Sequence, residues 1–298
     1  MDMALKDTTG AMEAPPRVSE GKRFLRVFLR RPLVIIGCCI LFALFFCAAF
    51  PGLIAPYEPT KQDLRSVLLQ PSSQHLLGTD ALGRDMFSRV IFGARTAVIV
   101  GFSALLISSV LGAILGLTAG YLGGFIYTII MRFIDALMAF PAILLALTIA
   151  SLLGGGMQMV IIALGIGMMP GYARVMCGQA ISIKENDYVM AARSLGTTSA
   201  RVMFRHIFPN AFPPMIVMMT IMVGTTILAE AGLSYLGIGI KEPTVAWGSL
   251  VNDGYKYLLT RPFLSIAPGV AIILVVYAFN MVGDGLRDAV DPRLRGTL

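Results

Sequence analysis

Polar and apolar positions along this 298-residue chain separate into long blocks instead of alternating. Apolar runs cover roughly Leu33–Ile54, Thr96–Leu117, Ile126–Leu153, Met157–Gly178, Pro214–Leu236 and Ser265–Val282. A helix needs about 20 apolar residues to cross the hydrocarbon core of a bilayer, so the pattern predicts six spanning helices. Hydrophobicity is continuous within each run, which does not fit a β-barrel, whose strands alternate. The glycines and prolines inside the runs, among them Gly112, Gly116, Pro141, Gly167, Pro170 and Pro268, are tolerated where spanning helices pack closely. The first run follows a basic flank at Lys22, Arg23, Arg26, Arg30 and Arg31. It is longer and starts later than a secretory signal would, so it is expected to stay as the first span.

Composition agrees with a membrane chain. Hydrophobic residues make up 56% and charged residues 14%, against ~45–50% and ~25% in soluble domains. This excludes an ordinary soluble enzyme, a disordered chain and a polar nucleic-acid binder. The net charge of +7 is unevenly distributed. With the amino terminus inside, 16 Lys and Arg fall on the inner side and 8 on the outer, which places both termini in the cytoplasm by the positive-inside rule. Cys38, Cys39, Cys47 and Cys177 all lie in apolar stretches and read as packing residues, not as a disulfide framework or a zinc site. No G-x-x-x-x-G-K-[ST], H-E-x-x-H or G-x-S-x-G occurs, so this chain is not expected to bind ATP through a P-loop or to catalyse hydrolysis. No catalytic residue, metal ligand or resident cofactor is assigned.

The polar connections carry more information. Residues 184–209, KENDYVMAARSLGTTSARVMFRHIFP, form the longest inner loop. Asn186 suits an N-cap and Gly196 the left-handed position that follows a helix. Between them a short helix would carry Tyr188, Ala192 and Leu195 on one face, and the small residues Ala191, Ala192 and Gly196 allow close approach. A second short helix from about Ser199 to Ile207 is expected to stop before Pro209. Such helices must pack on something, either their own bundle or another protein.

Residues 76–95, LLGTDALGRDMFSRVIFGAR, place Asp80 four before Arg84 and Asp85 four before Arg89, an order that supports a helix. With Met86, Phe87, Val90 and Ile91 as its apolar face, this segment is expected to be an interfacial helix leading into the second span, serving as an anchor or a ligand contact. Ionisable residues in spans are expensive in lipid and therefore functional candidates. Arg132 and Asp135, three apart, are expected to form a mutual ion pair. Glu230, toward the outer end of the fifth span, is the candidate for the translocation pathway or for a bond to a partner subunit. Asp284 and Asp288 are expected beside Arg287.

At residues 184–209 the sequence resembles the EAA loop of bacterial ABC-importer permeases. Ala191-Ala192 is followed by Gly196 and, thirteen residues later, by Pro209, as the family pattern asks. Met190 stands in place of the Glu, His206 of the Ile and Phe208 of the Leu. The segments LGTDALGRDMFSR, IIMRFIDALMAFPAILLA, AEAGLSYLGIGIKEPTVAWGSL and FNMVGDGLRDAVDPRLR narrow the resemblance to the C-type permease of the dipeptide/oligopeptide/nickel importers, over about residues 24–295.

This resemblance implies an all-α polytopic protein with six transmembrane helices and the type I ABC importer permease fold. It divides into a cytoplasmic tail (1–31), a first helix (32–55), an extracytoplasmic segment (56–94), a five-helix core (95–286) holding the coupling loop, and a cytoplasmic tail (287–298). It also implies a bacterial inner-membrane location, a homologous B-type permease, two ATPase subunits that hold ATP and Mg, an extracytoplasmic solute-binding protein, and no nucleic-acid partner. Asn186, Tyr188, Ala191, Ala192, Leu195, Gly196 and Pro209 would then form the ATPase-coupling loop. The implied cargo is di- or oligopeptides, with nickel or a metallophore as the alternative. A secondary transporter would need ion-coupling residues near the midplane, and an intramembrane aspartyl protease would need facing aspartates. The spans offer little for the first, and Asp284 lacks the Gly that the second would place two positions earlier.

Overall fold

The computed structural model describes residues 20–29 and 31–290, with side chains from Phe24 onward. Most of the expected N-terminal tail and the C-terminal residues 291–298 lie outside the described residues. The elements are α1 (Glu20–Phe28), α2 (Pro32–Ala49), α3 (Pro51–Ile54), α4 (Met86–Leu122), α5 (Gly124–Met138), α6 (Ala142–Leu152), α7 (Met157–Lys184), α8 (Asp187–Ser194), α9 (Ser199–Val202), α10 (Phe208–Tyr235), α11 (Trp247–Tyr255) and α12 (Phe263–Val290). Among the described residues there is no strand, only an isolated antiparallel bridge between Thr79 and Asp85.

Five stretches are long and apolar enough to cross a membrane: α2, α4, α7, the continuous helix Ser199–Tyr235, and α12. The expected third span is broken. α5 and α6 form a sixth crossing only as a pair bent by 88°. The break falls at residues 139–141, where Pro141 lacks an N–H and disfavours helical backbone at Phe140.

Three other boundaries also moved. Pro51 separates α3 from the first span. Residues 76–85 fold as a loop rather than as the start of an interfacial helix, and α4 then runs unbroken for 37 residues. The helix from Ser199 does not stop before Pro209. It passes through a π turn at Met203–Ile207, in which the Phe208 N–H reaches back to the Met203 carbonyl, and continues into α10. Pro209 follows this π turn, at the head of α10.

The centre of the bundle is the contact between α4 and α7. Gly112, Gly116 and Gly120 repeat every four residues along one face of α4. A Cβ at Gly112 would come within 2.5 Å of the Tyr172 Cβ, and one at Gly120 within 2.6 Å of the Cys177 carbonyl oxygen. A Cβ at Gly116 would collide with the Ala173 carbonyl. Helices lacking side chains at such a seam approach until backbones touch, which is how association proceeds where lipid supplies no hydrophobic drive. Tyr172 and Met176 fill the flanks and are fully buried. At the end of α12, Asp288 does not turn to Arg287. It pairs with Arg31 at 2.7 Å and fastens the start of α2.

Candidate translocation and coupling sites

The face that carries the 56–85 connection is organised by charge. Asp85 caps α4, accepting from the Ser88 N–H at 2.8 Å, and its other oxygen meets His75 Nδ1 at 2.9 Å. It does not pair with Arg89. Asp80 takes that place. Its Oδ1 accepts from the Leu82 and Arg84 N–H groups, each at 2.9 Å, which shapes the turn. Its Oδ2 accepts from Arg84 Nε at 2.6 Å and Arg89 Nη1 at 2.5 Å. Glu242, from the connection after α10, accepts from the same two guanidiniums through Oε1, at 2.6 Å from Arg84 and 3.3 Å from Arg89. Burial alone would raise the Glu242 carboxyl, but the Arg84 and Arg89 guanidiniums outweigh it and hold the group below the ordinary carboxylate range.

These four side chains border a cavity of about 470 Å³ that also meets Ser234 and Lys256. Trp247 and Gly248 complete this end. Trp247 Nε1 donates to the Val90 carbonyl at 2.8 Å, with its ring lying against Gly93. Gly248 lets α11 rest on the Ala231 carbonyl.

Glu230 does not face a vestibule, a subunit interface or lipid. It is 2% exposed within its own chain and accepts from Ser234 Oγ at 2.6 Å, while the same Oγ accepts from the Ile240 N–H at 3.1 Å. The carboxylate therefore organises the turn that leaves α10, and its geometry is that of an internal brace and not of a pathway residue.

The expected ion pair is also different. Asp135 meets Arg174 of α7, with Nη2 donating to Oδ1 at 2.5 Å, and not Arg132. Residues three apart share a helix face, but α7 packs against α5 and brings Arg174 closer. This pair is not buried: the side chains are 53% and 45% exposed, and Arg132 beside them is exposed too. A charge held against lipid at the helix centre costs about 2.5–3.5 kcal/mol on insertion scales, so this patch needs water or polar protein as its neighbour. Sequence reasoning missed Arg174, although a lone arginine inside the apolar run 157–178 was a usable signal.

At the opposite face, α8 forms where it was expected. Asn186 occupies the N-cap position with extended backbone but makes no side-chain cap bond. The helix closes in a Schellman motif, with the Gly196 N–H on the Arg193 carbonyl at 3.0 Å and the Thr197 N–H on the Ala192 carbonyl at 3.2 Å. This closure puts Gly196 at φ +77°, a conformation open to glycine and strained for branched residues. Val189 points inward and is fully buried. Tyr188, Met190 and Leu195 point outward, Leu195 at 86% exposure. Ala191 is exposed and Ala192 partly so, and Pro209 is exposed at the head of α10. Lys184 Nζ reaches across to the Gly120 carbonyl at 3.2 Å, joining the ends of α7 and α4.

A broken-span helical bundle with a capped, outward-facing loop helix is the architecture of a transport permease, and comparison with known proteins agrees. Residues 112–296 match the family of binding-protein-dependent transport system inner membrane components, and residues 19–71 match the N-terminal TM domain of oligopeptide transport permease C. The chain belongs to this permease family.

It is 38% identical over 278 residues to the dipeptide transport system permease protein of Alkalihalophilus pseudofirmus, covering 93% of this chain and 91% of that one. It is likewise 38% identical over 275 residues to the glutathione transport system permease protein of Pectobacterium atrosepticum, covering 92% and 91%. Among solved structures, a chain of the MetNI methionine ABC transporter in an inward-facing conformation matches with a TM-score of 0.56 at 20% identity, over 69% of this chain and 98% of that one. The fold is that of a type I ABC importer permease, and the role of the chain is transport rather than catalysis.

Proposed function

We propose that this chain is one of two permease subunits of an ATP-driven, binding-protein-dependent importer of di- and oligopeptides in the bacterial inner membrane. Both termini and α8 lie on the cytoplasmic side, and ATP and Mg are held by separate ATPase subunits. The observation that carries the coupling assignment is the exposed apolar face of α8. Tyr188, Met190 and Leu195 stand out from a helix anchored through Val189, a surface suited to a cleft in another protein. The relatives' names favour peptides over nickel as cargo. ATP-driven closure of the ATPases would push α8, and the bundle would respond by exchanging two packings of similar stability.

The test is ATP-dependent uptake of labelled di- and tripeptides by vesicles holding the assembled transporter and its binding protein, with a cysteine at Leu195 for cross-linking to the ATPase. Uptake that needs ATP, together with a Leu195 cross-link, is the expected result. Uptake driven by an ion gradient without ATP would overturn the reading.

A further inference from the structure

Resting on that reading, we propose that Arg132, Asp135 and Arg174 form a charged station inside the translocation pathway that takes the carboxylate end of the passing peptide. Three observations place it there. The first is depth. Asp135 lies eleven residues after Gly124 at the start of α5 and Arg174 ten residues before Lys184 at the end of α7, about 15 Å along each helix from those two ends at ~1.5 Å per residue. Both positions fall within apolar runs that the sequence marks as spans, 126–153 and 157–178.

The second is exposure. All three side chains are open on the surface of the chain, whereas Glu230 is enclosed by its own helices. Charges within spanning segments that their own subunit leaves uncovered face a water-filled cavity or a protein interior, and they mark substrate pathways. The third is position. Asp135 lies within the last turn of α5, immediately before the 88° break, and interrupted helices at membrane depth mark the sites where transporters receive their cargo.

The chemistry fits transit. The station holds two guanidiniums and one carboxylate, so it carries a net positive charge. Arg132 has no ion-pair partner among the described residues and presents a planar fork to an incoming carboxylate. Arg174 is already engaged by Asp135, so a peptide carboxylate never meets two free guanidiniums. The competition keeps the affinity low enough for release, as conduction requires.

The experiment uses the assembled transporter with Cys38, Cys39, Cys47 and Cys177 replaced, carrying Arg132→Cys. The cysteine is modified in place by an anionic (ethylsulfonate) or a cationic (aminoethyl) methanethiosulfonate, with and without ATP and vanadate. Expected are reaction from the aqueous phase in at least one nucleotide state and uptake reduced about tenfold by the anionic adduct, the scale of one lost charge-assisted contact. The cationic adduct should recover uptake to within about threefold of the parent. A cysteine silent in every nucleotide state, or equal effects of the two adducts, would overturn the proposal. Arg174→Cys, treated in the same way, should react in the same nucleotide states, and silence there would remove it from the station. Failure of the parent complex to import peptides at all would instead sink the importer reading itself.

Discussion

At one end of the bundle Asp80, Arg84, Arg89 and Glu242 are tied together by hydrogen bonds of 2.5–3.3 Å. Trp247 and Gly248 lock neighbouring helices to the same spot. At the other end α8 holds to its own bundle through Val189 and leaves Tyr188, Met190 and Leu195 in the open. The first end pairs its charges with one another, with Arg89 Nε alone left buried without a partner among the described residues; the second leaves apolar surface uncovered. The two should therefore fail differently. Damage to the charged end should cost the fold, and damage to the loop end should cost coupling while the fold survives.

The largest expected effect comes from Asp80→Asn. It removes the carboxylate shared by both guanidiniums and leaves Arg89, whose residue is 2% exposed, with only the 3.3 Å contact to the Glu242 carboxylate. Breaking a buried pair from one side costs about 3–5 kcal/mol, so abundance in membranes and thermal stability in detergent should both collapse. A variant as stable as the parent would mean that this end is not self-contained.

Gly196→Val comes next. A branched residue at φ +77° carries strain of about 1–3 kcal/mol, confined to a loop with open space around it. The bundle should assemble normally while uptake falls about tenfold or more. Normal uptake in a correctly assembled complex would show that the shape of this loop does not transmit the stroke. Leu195→Glu isolates the contact from the backbone. Stability should stay within ±0.5 kcal/mol, as for exposed positions generally, while recovery of the ATPase on co-purification drops severalfold. A drop in melting temperature without loss of ATPase would reverse the assignment of the two ends.

Acid should act on the charged end first. The folded Glu242 carboxyl is held below its ordinary value of 4.5. Its stabilising contribution is therefore complete above that value and is lost as pH falls through the lower folded one. Melting temperature should drop more steeply in acid for the parent than for Glu242→Gln. The difference should be small, because the Glu242 side chain is 56% exposed and solvent screens it. Smallest of all is Lys184→Ala. It removes one bond to the Gly120 carbonyl, and uptake should stay within about twofold of the parent.

The spans were legible because twenty apolar residues in a row report on their environment without reference to the rest of the chain. The close seam of α4 and α7 was legible in part, through its small residues. The loop helix from Asp187 to Ser194, its N-cap position at Asn186 and the positive φ of Gly196 were readable because caps depend on a few neighbouring residues. The break at Pro141 and the merging of the 199–207 helix into α10 were harder. A proline can end a helix, bend it or begin one, and the packing around it decides which.

What the sequence determined by itself was therefore local: how many apolar crossings the chain contains, where a short helix caps, and which residue types are too costly to leave against lipid. What only the tertiary structure decided was which of those residues meet. Asp135 turned from Arg132, three residues away, to Arg174, 39 away. Arg84 and Arg89 found Glu242 across 158 and 153 positions. Trp247 found the Val90 carbonyl across 157. Glu230 was enclosed by its own chain and not by a pathway. Backbone propensity and hydrophobicity act over a few residues. A charge inside a membrane bundle pairs with whatever group helix packing brings within about 3 Å, and that distance is a property of the assembled bundle, not of spacing along the chain.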